Sequence, residues 1–494
     1  MRLIPRIETW PWCLRIAQTV PGRLGILLLF ALGLSIRRDH AFALVFVAGV
    51  VAFVPKRRWL MLLIGTLGWT FTYLWPTLEW AAVRAVARQA GIVLDLKTLA
   101  PISVVLALLC GTLVVSLAFR FRRSAFFRRP ILALLVGYFA GLAVLSYAPM
   151  PGQIRLQGWA FMSAFGAYLW FVCYALTDRN SRDRSSPLFQ LSTFLPFWVG
   201  AFRSGTPFGK GAAYLRKVEA RDDRTLAITQ LKGLKLLCWV LILSGATALF
   251  RKLVFGGPVP ELDGPLARLQ LSFPFSLNLP TFEASLKASA AGHPYEWFSC
   301  WIILLAAFFQ SVLDMASGGN LVVACCRLAG FAALRNTYKP LYATTLVEFW
   351  NRYYYYFKEL LVNVFFFPTY LRYFKGRPRL RMFAATVAAA GLGNFIYHFL
   401  RDTASIARYG LFHAAAGYHV YLFYCLVLAA GIGISQVRET AKTRKAPVTR
   451  WRKARASLGV IAFYCLLHVF DYSAVGYPLT VHFTYLLNLM PGWR

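Results

Sequence analysis

The chain has 494 residues, 58% hydrophobic and 15% charged, with 54 Lys and Arg against 19 Asp and Glu for a formal net charge of +35. Mean hydropathy is +0.54, which excludes a soluble globular domain, because no single core buries that much apolar surface. The positive charge excludes nucleic-acid binding by its distribution. Lys and Arg fall in short clusters between apolar runs, at Lys56-Arg57-Arg58, Arg120 to Arg129, Arg372 to Arg381 and Arg438 to Arg455, as in membrane-protein loops that also attract anionic headgroups.

In chain order, the first apolar runs are 24–36, 41–54 and 59–75. They are short for a span, which needs about 20 apolar residues, so they are expected to pair or tilt. The run after Gly22 meets Arg37-Arg38 rather than a small-residue cleavage site, and reads as a retained segment, not a signal peptide. His40 reads as a loop residue. Runs 102–119, 130–148 and 158–176 read as membrane helices. Residues 177–234 contain TDRNSRDRSSP and FLPFWVGAFRSGTPFGKG, and Gly and Pro breaks in an apolar patch predict a re-entrant or interfacial loop. After a helix at 235–250, the polar interval 251–296 with Pro258, Pro260, Pro265 and His293-Pro294 predicts an aqueous loop with short surface helices. Helices follow at 298–313, 382–400, 413–435 and 458–475, with a basic loop at 436–457.

Barrel-type alternation is absent, so helices must satisfy the backbone within lipid. The expected fold is an all-α polytopic membrane protein of about 10–12 membrane helices, re-entrant segments included. Three parts are expected: N-terminal membrane helices over 1–185, a core over 186–435, and a basic loop with closing helices over 436–494. The nine cysteines lie in or beside apolar runs without CxxC or Cys/His spacing, which indicates neither a disulfide framework nor a metal site.

Two stretches carry polar groups at membrane depth, where they are costly and seldom face lipid. TTLVEFWNRYYYYFKELLVNVFFFP, residues 344–368, has the length of a membrane segment yet contains Glu348, Asn351, Arg352, Lys358, Glu359, Asn363 and four successive tyrosines. Glu348 and Arg352 stand four apart and can pair. The tyrosines can sit half in an apolar wall with the hydroxyl in a wet cavity. An interfacial helix with an aromatic belt is the competing reading, and it fits poorly with the FFFP ending. In GLGNFIYHFLRD, residues 391–402, Asn394, His398 and Asp402 recur every four positions and share one helix face. His398 in such apolar company can be a neutral general base, its tautomer set by a carboxylate or amide one turn away. A histidine hydrogen-bonded between helices for structure alone is the alternative. His413, His419, His468 and His482 are weaker candidates.

These residues carry a resemblance. Gln310, Asp314, Arg327, Gly330, Phe331, Asn336, Pro340, Ala343, Thr344, Glu348, Phe349, Trp350, Arg352 and Pro368 follow a spacing similar to that of the membrane-bound O-acyltransferases. The bacterial branch with the alginate O-acetyltransferase and the teichoic-acid D-alanyl transferase is the nearest in pattern. FLPFWVGAF at 194–202 resembles the family's earlier Phe-Pro-Gly loop, and 391–398 resembles its second signature. The resemblance covers roughly residues 190–435. It implies a polar chamber buried in the membrane and acyl transfer from a thioester, such as acyl-CoA acting as co-substrate, to a hydroxyl of a cell-envelope glycan, lipid or secreted metabolite. No permanently bound cofactor is implied. Accessory envelope proteins, membrane lipids and a bacterial cytoplasmic membrane are the implied setting.

By the same resemblance His398 is the base and Trp350, Asn351, Arg352, Lys358 and Asn363 line the substrate chamber, while Asn394, Tyr354 or a free backbone N–H could each supply the oxyanion donor. The pattern departs at three places. Tyr353 and Tyr354 stand where the family has Trp and then His or Asn. Val362-Asn363 replaces a basic–acidic pair, and Gly393-Asn394 precedes a histidine that comes four residues late. Either His398 acts from a shifted turn or Asn394 occupies the family position. A non-catalytic relative that binds lipid, or serves as a scaffold or in transport, is the second functional class; a secondary transporter is disfavoured, because paired broken segments in the two halves are missing.

Overall fold

Long apolar stretches flanked by arginine, proline or glycine leave the backbone one way to satisfy itself in lipid, and helices form throughout. The computed structural model describes residues 4–36, 80–124, 126–178, 206–208, 210–256, 275–440, 449–471 and 476–493. The expected runs 41–54 and 59–75, His40 and the 194–202 loop lie outside the described residues. Within them no strand occurs, and one isolated bridge joins Glu219 to Phe331. Eight helices among the described residues are long and apolar enough to cross a membrane, or nine if one bent pair is a single span. The eight coincide with the eight longer runs expected from the sequence. The chain is an all-α, multi-pass membrane protein.

It divides into two compact units, one made of described residues within Met1–Gly245 and Ser317–Asn336, the other of those within Ala246–Pro260, Leu271–Ala316 and Thr337–Arg494. This division cuts across the expected boundaries at 185 and 435. In the first unit α1 (Pro11–Gln18) meets α2 (Val20–Ile36) at 97°. α3 (Ala81–Ala90), α4 (Leu96–Arg120) and α5 (Pro130–Tyr147) pack on α6 (Gly152–Thr177). α6 is the central helix, with Trp159, Tyr168 and Trp170 buried. Its glycines admit neighbours: Tyr138 Oη donates to the Met162 carbonyl at 3.0 Å, and a Cβ at Gly166 would lie 2.4 Å from that hydroxyl. Small residues at helix contacts are how apolar helices pack when lipid offers no hydrophobic incentive. α7 (Ala212–Val218) follows, and Arg23 pairs at 2.5 Å with Asp223, the first residue of α8 (Asp223–Phe255).

The second unit holds the candidate site. α9 (Phe282–Ala290) precedes α10 (Trp297–Leu328), whose first half belongs here. Trp301 Nε1 donates to the Leu489 carbonyl at 2.9 Å, and Tyr485 Oη to the Cys300 carbonyl at 3.1 Å. Then come α11 (Leu346–Tyr353), α12 (Tyr355–Leu361), α13 (Phe367–Arg372), α14 (Pro378–Thr386), α15 (Asn394–Arg401), α16 (Thr403–Tyr409), α17 (Leu411–Gly417), α18 (His419–Thr440), α19 (Arg450–Leu467) and α20 (Leu479–Leu487). Wide π-helical turns over Val362–Phe366 and Val387–Gly393 join α12 to α13 and α14 to α15.

The 344–368 run is therefore not the single helix its length suggests. Thr345 caps α11 by accepting from the Glu348 amide at 3.1 Å, while the Glu348 carboxylate accepts from the Thr344 amide at 2.7 Å. The helix stops at Tyr354 (φ −137°, ψ 74°). The reason is tertiary: the Tyr338 amide takes the Arg352 carbonyl at 2.8 Å, and the Thr337 hydroxyl takes the Tyr353 carbonyl at 2.8 Å. Those carbonyls are the ones a continuing helix would need.

Candidate functional site

The two π turns pack against each other. A Cβ on Gly393 would lie 2.5 Å from the Phe365 ring, so only glycine permits this approach. π turns insert one residue per turn and recur at functional sites. Beside them lies a cavity of about 240 Å³ lined by Val347, Trp350 and Asn351 of α11, Lys358 and Leu361 of α12, Val362 and Phe366 of the first π turn, Thr386 of α14, Ala389 and Ala390 of the second, and Ile432 and Gln436 of α18. Its wall is mostly apolar with a few polar groups, the composition of a small-molecule pocket. The Thr386 hydroxyl donates to Gln436 Oε1 at 2.6 Å, and Asn351, Lys358 and Gln436 are the other polar residues of the lining. Lys358 pairs with Glu359 and lies 4.9 Å over the Tyr355 ring.

Of the residues nominated from sequence, Trp350, Asn351 and Lys358 meet in this cavity. Arg352 does not join its wall; it pairs with Glu348 at 2.5 Å, as the spacing suggested. Asn363 bonds back to the Glu359 carbonyl at 2.7 Å. Tyr354 sits at the helix break with its ring 5.3 Å from Phe357.

His398 lies elsewhere, half-buried in an aromatic collar. Its ring centroid is 4.8 Å from Tyr421, 5.2 Å from Tyr397 and 5.8 Å from Phe357. Phe357 also stands 6.1 Å from the cavity residue Trp350, so one phenyl ring separates the collar from the cavity wall. Neither imidazole nitrogen has a hydrogen bond among the described residues. The expected tautomer-setting groups are engaged otherwise. Asp402 ends the helix, accepting from the Ser405 amide at 3.0 Å and from Tyr418 Oη at 2.7 Å. Asn394, 1% exposed, accepts from Tyr421 Oη at 3.3 Å, and its Nδ2 has no partner among the described residues. The collar thus holds an unengaged imidazole and, one turn away, an unengaged amide donor.

Two of the weaker histidines are hydrogen-bonded within the fold. His419 accepts from the Leu479 amide at 3.3 Å, and His482, fully buried, bonds the Val469 carbonyl at 2.7 Å. Tyr421, Phe357, Thr386 and Gln436 were not foreseen. Tyr421, Thr386 and Gln436 lie in ordinary apolar helix and Phe357 is an apolar residue within the polar 344–368 run, so they acquire a role only through helix pairing.

Fold and site together define a polytopic α-helical membrane protein with a small, mostly apolar cavity bearing a few polar groups and a neighbouring aromatic histidine site in one unit. No protein-family model matches the chain, and no curated protein sequence is significantly similar to it.

Proposed function

We propose that the chain is a membrane-bound O-acyltransferase of the bacterial cytoplasmic membrane. It moves an acyl group from a thioester such as acyl-CoA to a hydroxyl of an envelope glycan, lipid or secreted metabolite. The observation that carries the reading is His398, an imidazole within the candidate span Pro378–Arg401 with neither nitrogen hydrogen-bonded among the described residues. A histidine that only joined helices would be hydrogen-bonded to one of them through at least one ring nitrogen. In the proposed reaction His398 takes the acceptor's hydroxyl proton as that oxygen attacks the thioester carbonyl. The carbonyl oxygen gains negative charge and is met by the free Asn394 Nδ2. The tetrahedral adduct then collapses, the C–S bond breaks, and the thiolate leaves with the proton returned from the imidazolium. Trp350, Asn351 and Lys358 form the adjoining substrate wall. The residue spacing over Gln310–Pro368 adds to this support.

The test is transfer of labelled acetyl-CoA in membranes carrying His398→Ala. Loss of a general base costs about 10²–10⁴ in rate, so transfer falls to background while the protein accumulates normally. Full activity would remove His398 from the reaction.

One observation favours a second reading, a non-catalytic lipid-binding relative: no atom of His398 lines the cavity. That reading expects lipid bound to purified protein and no turnover. Single-turnover transfer from labelled acyl-CoA excludes it.

A further inference from the structure

Ten consecutive residues at the end of α13 and the start of α14, Leu371–Leu380, are exposed. Four of them, Arg372, Lys375, Arg377 and Arg379, are cations with no acceptor among the described residues. The chain has no carboxylate between Glu359 and Asp402. Such a run repels itself unless an outside anion compensates it. Interleaved with the cations are Leu371, Tyr373 and Phe374, 60%, 53% and 48% exposed. Phe374 adopts φ +53°, a left-handed conformation that a bulky side chain rarely takes. The turn thus presents an aromatic edge beside a cationic one.

The turn is also firmly built. Arg381 lies 4.0 Å over the Tyr370 ring and donates its Nε–H to the Tyr370 carbonyl. Tyr370 stacks at 5.5 Å on Phe366 of the cavity wall. Its place is a membrane face, because a candidate span begins at Pro378. α14 and α15 run antiparallel to α18, as Thr386 beside Gln436 and Asn394 beside Tyr421 show. α19 runs antiparallel to α18 in turn, with Phe470 4.7 Å from Phe423 and Gly431 against Phe463. Arg450, Arg452, Lys453 and Arg455, all exposed, therefore share the face of the turn. By the positive-inside rule this is the cytoplasmic face, where the anionic lipids of the leaflet lie.

We infer that the Tyr370–Arg381 turn is a discrete binding site for an anionic phospholipid, its phosphate among Arg372, Arg377 and Arg379 and its glycerol and upper acyl chain along Tyr373 and Phe374. Arginine matches phosphate with two parallel donors, and ring edges at this depth favour the headgroup boundary. The lipid seats at the rim of the cavity, one stacked ring pair from Phe366. The site does not depend on acyl transfer.

The test is native mass spectrometry of the full chain in detergent, titrated with phosphatidylglycerol or with phosphatidylcholine of the same acyl chains. The wild type retains phosphatidylglycerol preferentially. At about 1 kcal/mol per cation, Arg377→Gln with Arg379→Gln lowers that affinity roughly thirtyfold, whereas Arg450→Gln with Arg452→Gln, an equal charge loss on the same face, lowers it less than about threefold. Phe374→Gly relieves the strained backbone, keeps the fold, and still loses affinity severalfold. Equal losses from both arginine pairs would mean diffuse attraction and overturn the site. So would an absence of headgroup preference, or displacement of the lipid by equimolar inorganic phosphate, which would assign the arginines to a free anion.

Discussion

Gly393→Ala tests the packing of the two π turns on which the cavity depends. Gly393 has ordinary helical dihedrals, φ −63° and ψ −41°, so alanine brings no backbone strain and would by propensity alone stabilise by about 1 kcal/mol. The added Cβ, however, would stand 2.5, 2.8 and 3.0 Å from three atoms of the Phe365 ring. Phe365 sits in a π turn whose neighbours Val362 and Phe366 line the cavity, and overpacking of this kind costs about 1–3 kcal/mol. The net expectation is a loss of up to about 2 kcal/mol, a factor of up to about 30 in the folded ratio. Gly459→Ala is the control: it is helical, in the same unit, and no atom lies within 4 Å of its Cβ, so it is neutral or slightly stabilising. The assay is the half-life of native tryptophan fluorescence in micelles at one elevated temperature, because membrane proteins often unfold irreversibly and a rate is then the defined quantity. Gly393→Ala shortens that half-life severalfold; Gly459→Ala does not. A Gly393→Ala protein as long-lived as the control would refute the close approach of the two turns.

Two further outcomes are expected. Glu348→Ala removes the partner of Arg352 and both bonds to Thr344 at 2.7 and 3.0 Å, and costs about 1–2 kcal/mol after screening of this one-third exposed pair; Arg352→Met costs about half as much, and equal losses in thermal melts would show that the Thr344 bonds contribute nothing. Burial raises the Asp178 carboxyl, just beyond the α6 span, from 3.8 to about 6 against the opposing pull of the Ala213 and Ala212 amides. Its folded state favours the proton, so the stability it contributes is full below about pH 4 and is lost as pH rises to about 6, up to about 3 kcal/mol. Asp178→Asn removes that slope, and its melting temperature relative to wild type is higher near pH 7.5 than near pH 4.5; parallel curves would sink the assignment.

The spans were legible because an apolar run of sufficient length is a one-dimensional signal, and eight runs became eight helices. The run after Gly22 was legible as a helix but not in its 97° junction with α1. The break at Tyr354 was not legible, because the groups that capture the Arg352 and Tyr353 carbonyls, Tyr338 and Thr337, lie some fifteen residues upstream. Local propensity favours continuing that helix. Four-residue spacing placed Asn394 and His398 correctly on one face but failed for Asp402, since it assumes the helix persists. The backbone there turns to φ −86°, ψ 60°, and the carboxylate caps the next helix. The π turns have no composition of their own beyond small residues in the second, and their pairing is tertiary. The cavity was half visible for that reason: Trp350, Asn351 and Lys358 stood out as polar or amphipathic residues in an apolar run, whereas Thr386 and Gln436 came from helices that look unremarkable alone.

The polar side chains of this unit differ in how much of their hydrogen-bonding capacity the fold uses. Each polar side chain at membrane depth has to be satisfied somewhere. Glu348 and Arg352 satisfy each other, Asn363 is spent on the Glu359 carbonyl, and Asp402 on Ser405 and Tyr418. Removing any of these disturbs the backbone first and chemistry only second. His398 and the Nδ2 end of Asn394 have no hydrogen-bond partner among the described residues, and the Nε2 of buried His482 shares that property. Tyr421 makes that difference intelligible. Its hydroxyl occupies Asn394 Oδ1, so the amide end left over is the donor, while its ring, 4.8 Å from the imidazole, excludes water from one side without bonding either nitrogen. A base with a free nitrogen and a donor with a free N–H, one helical turn apart, is what the proposed acyl transfer requires at its two points of charge movement.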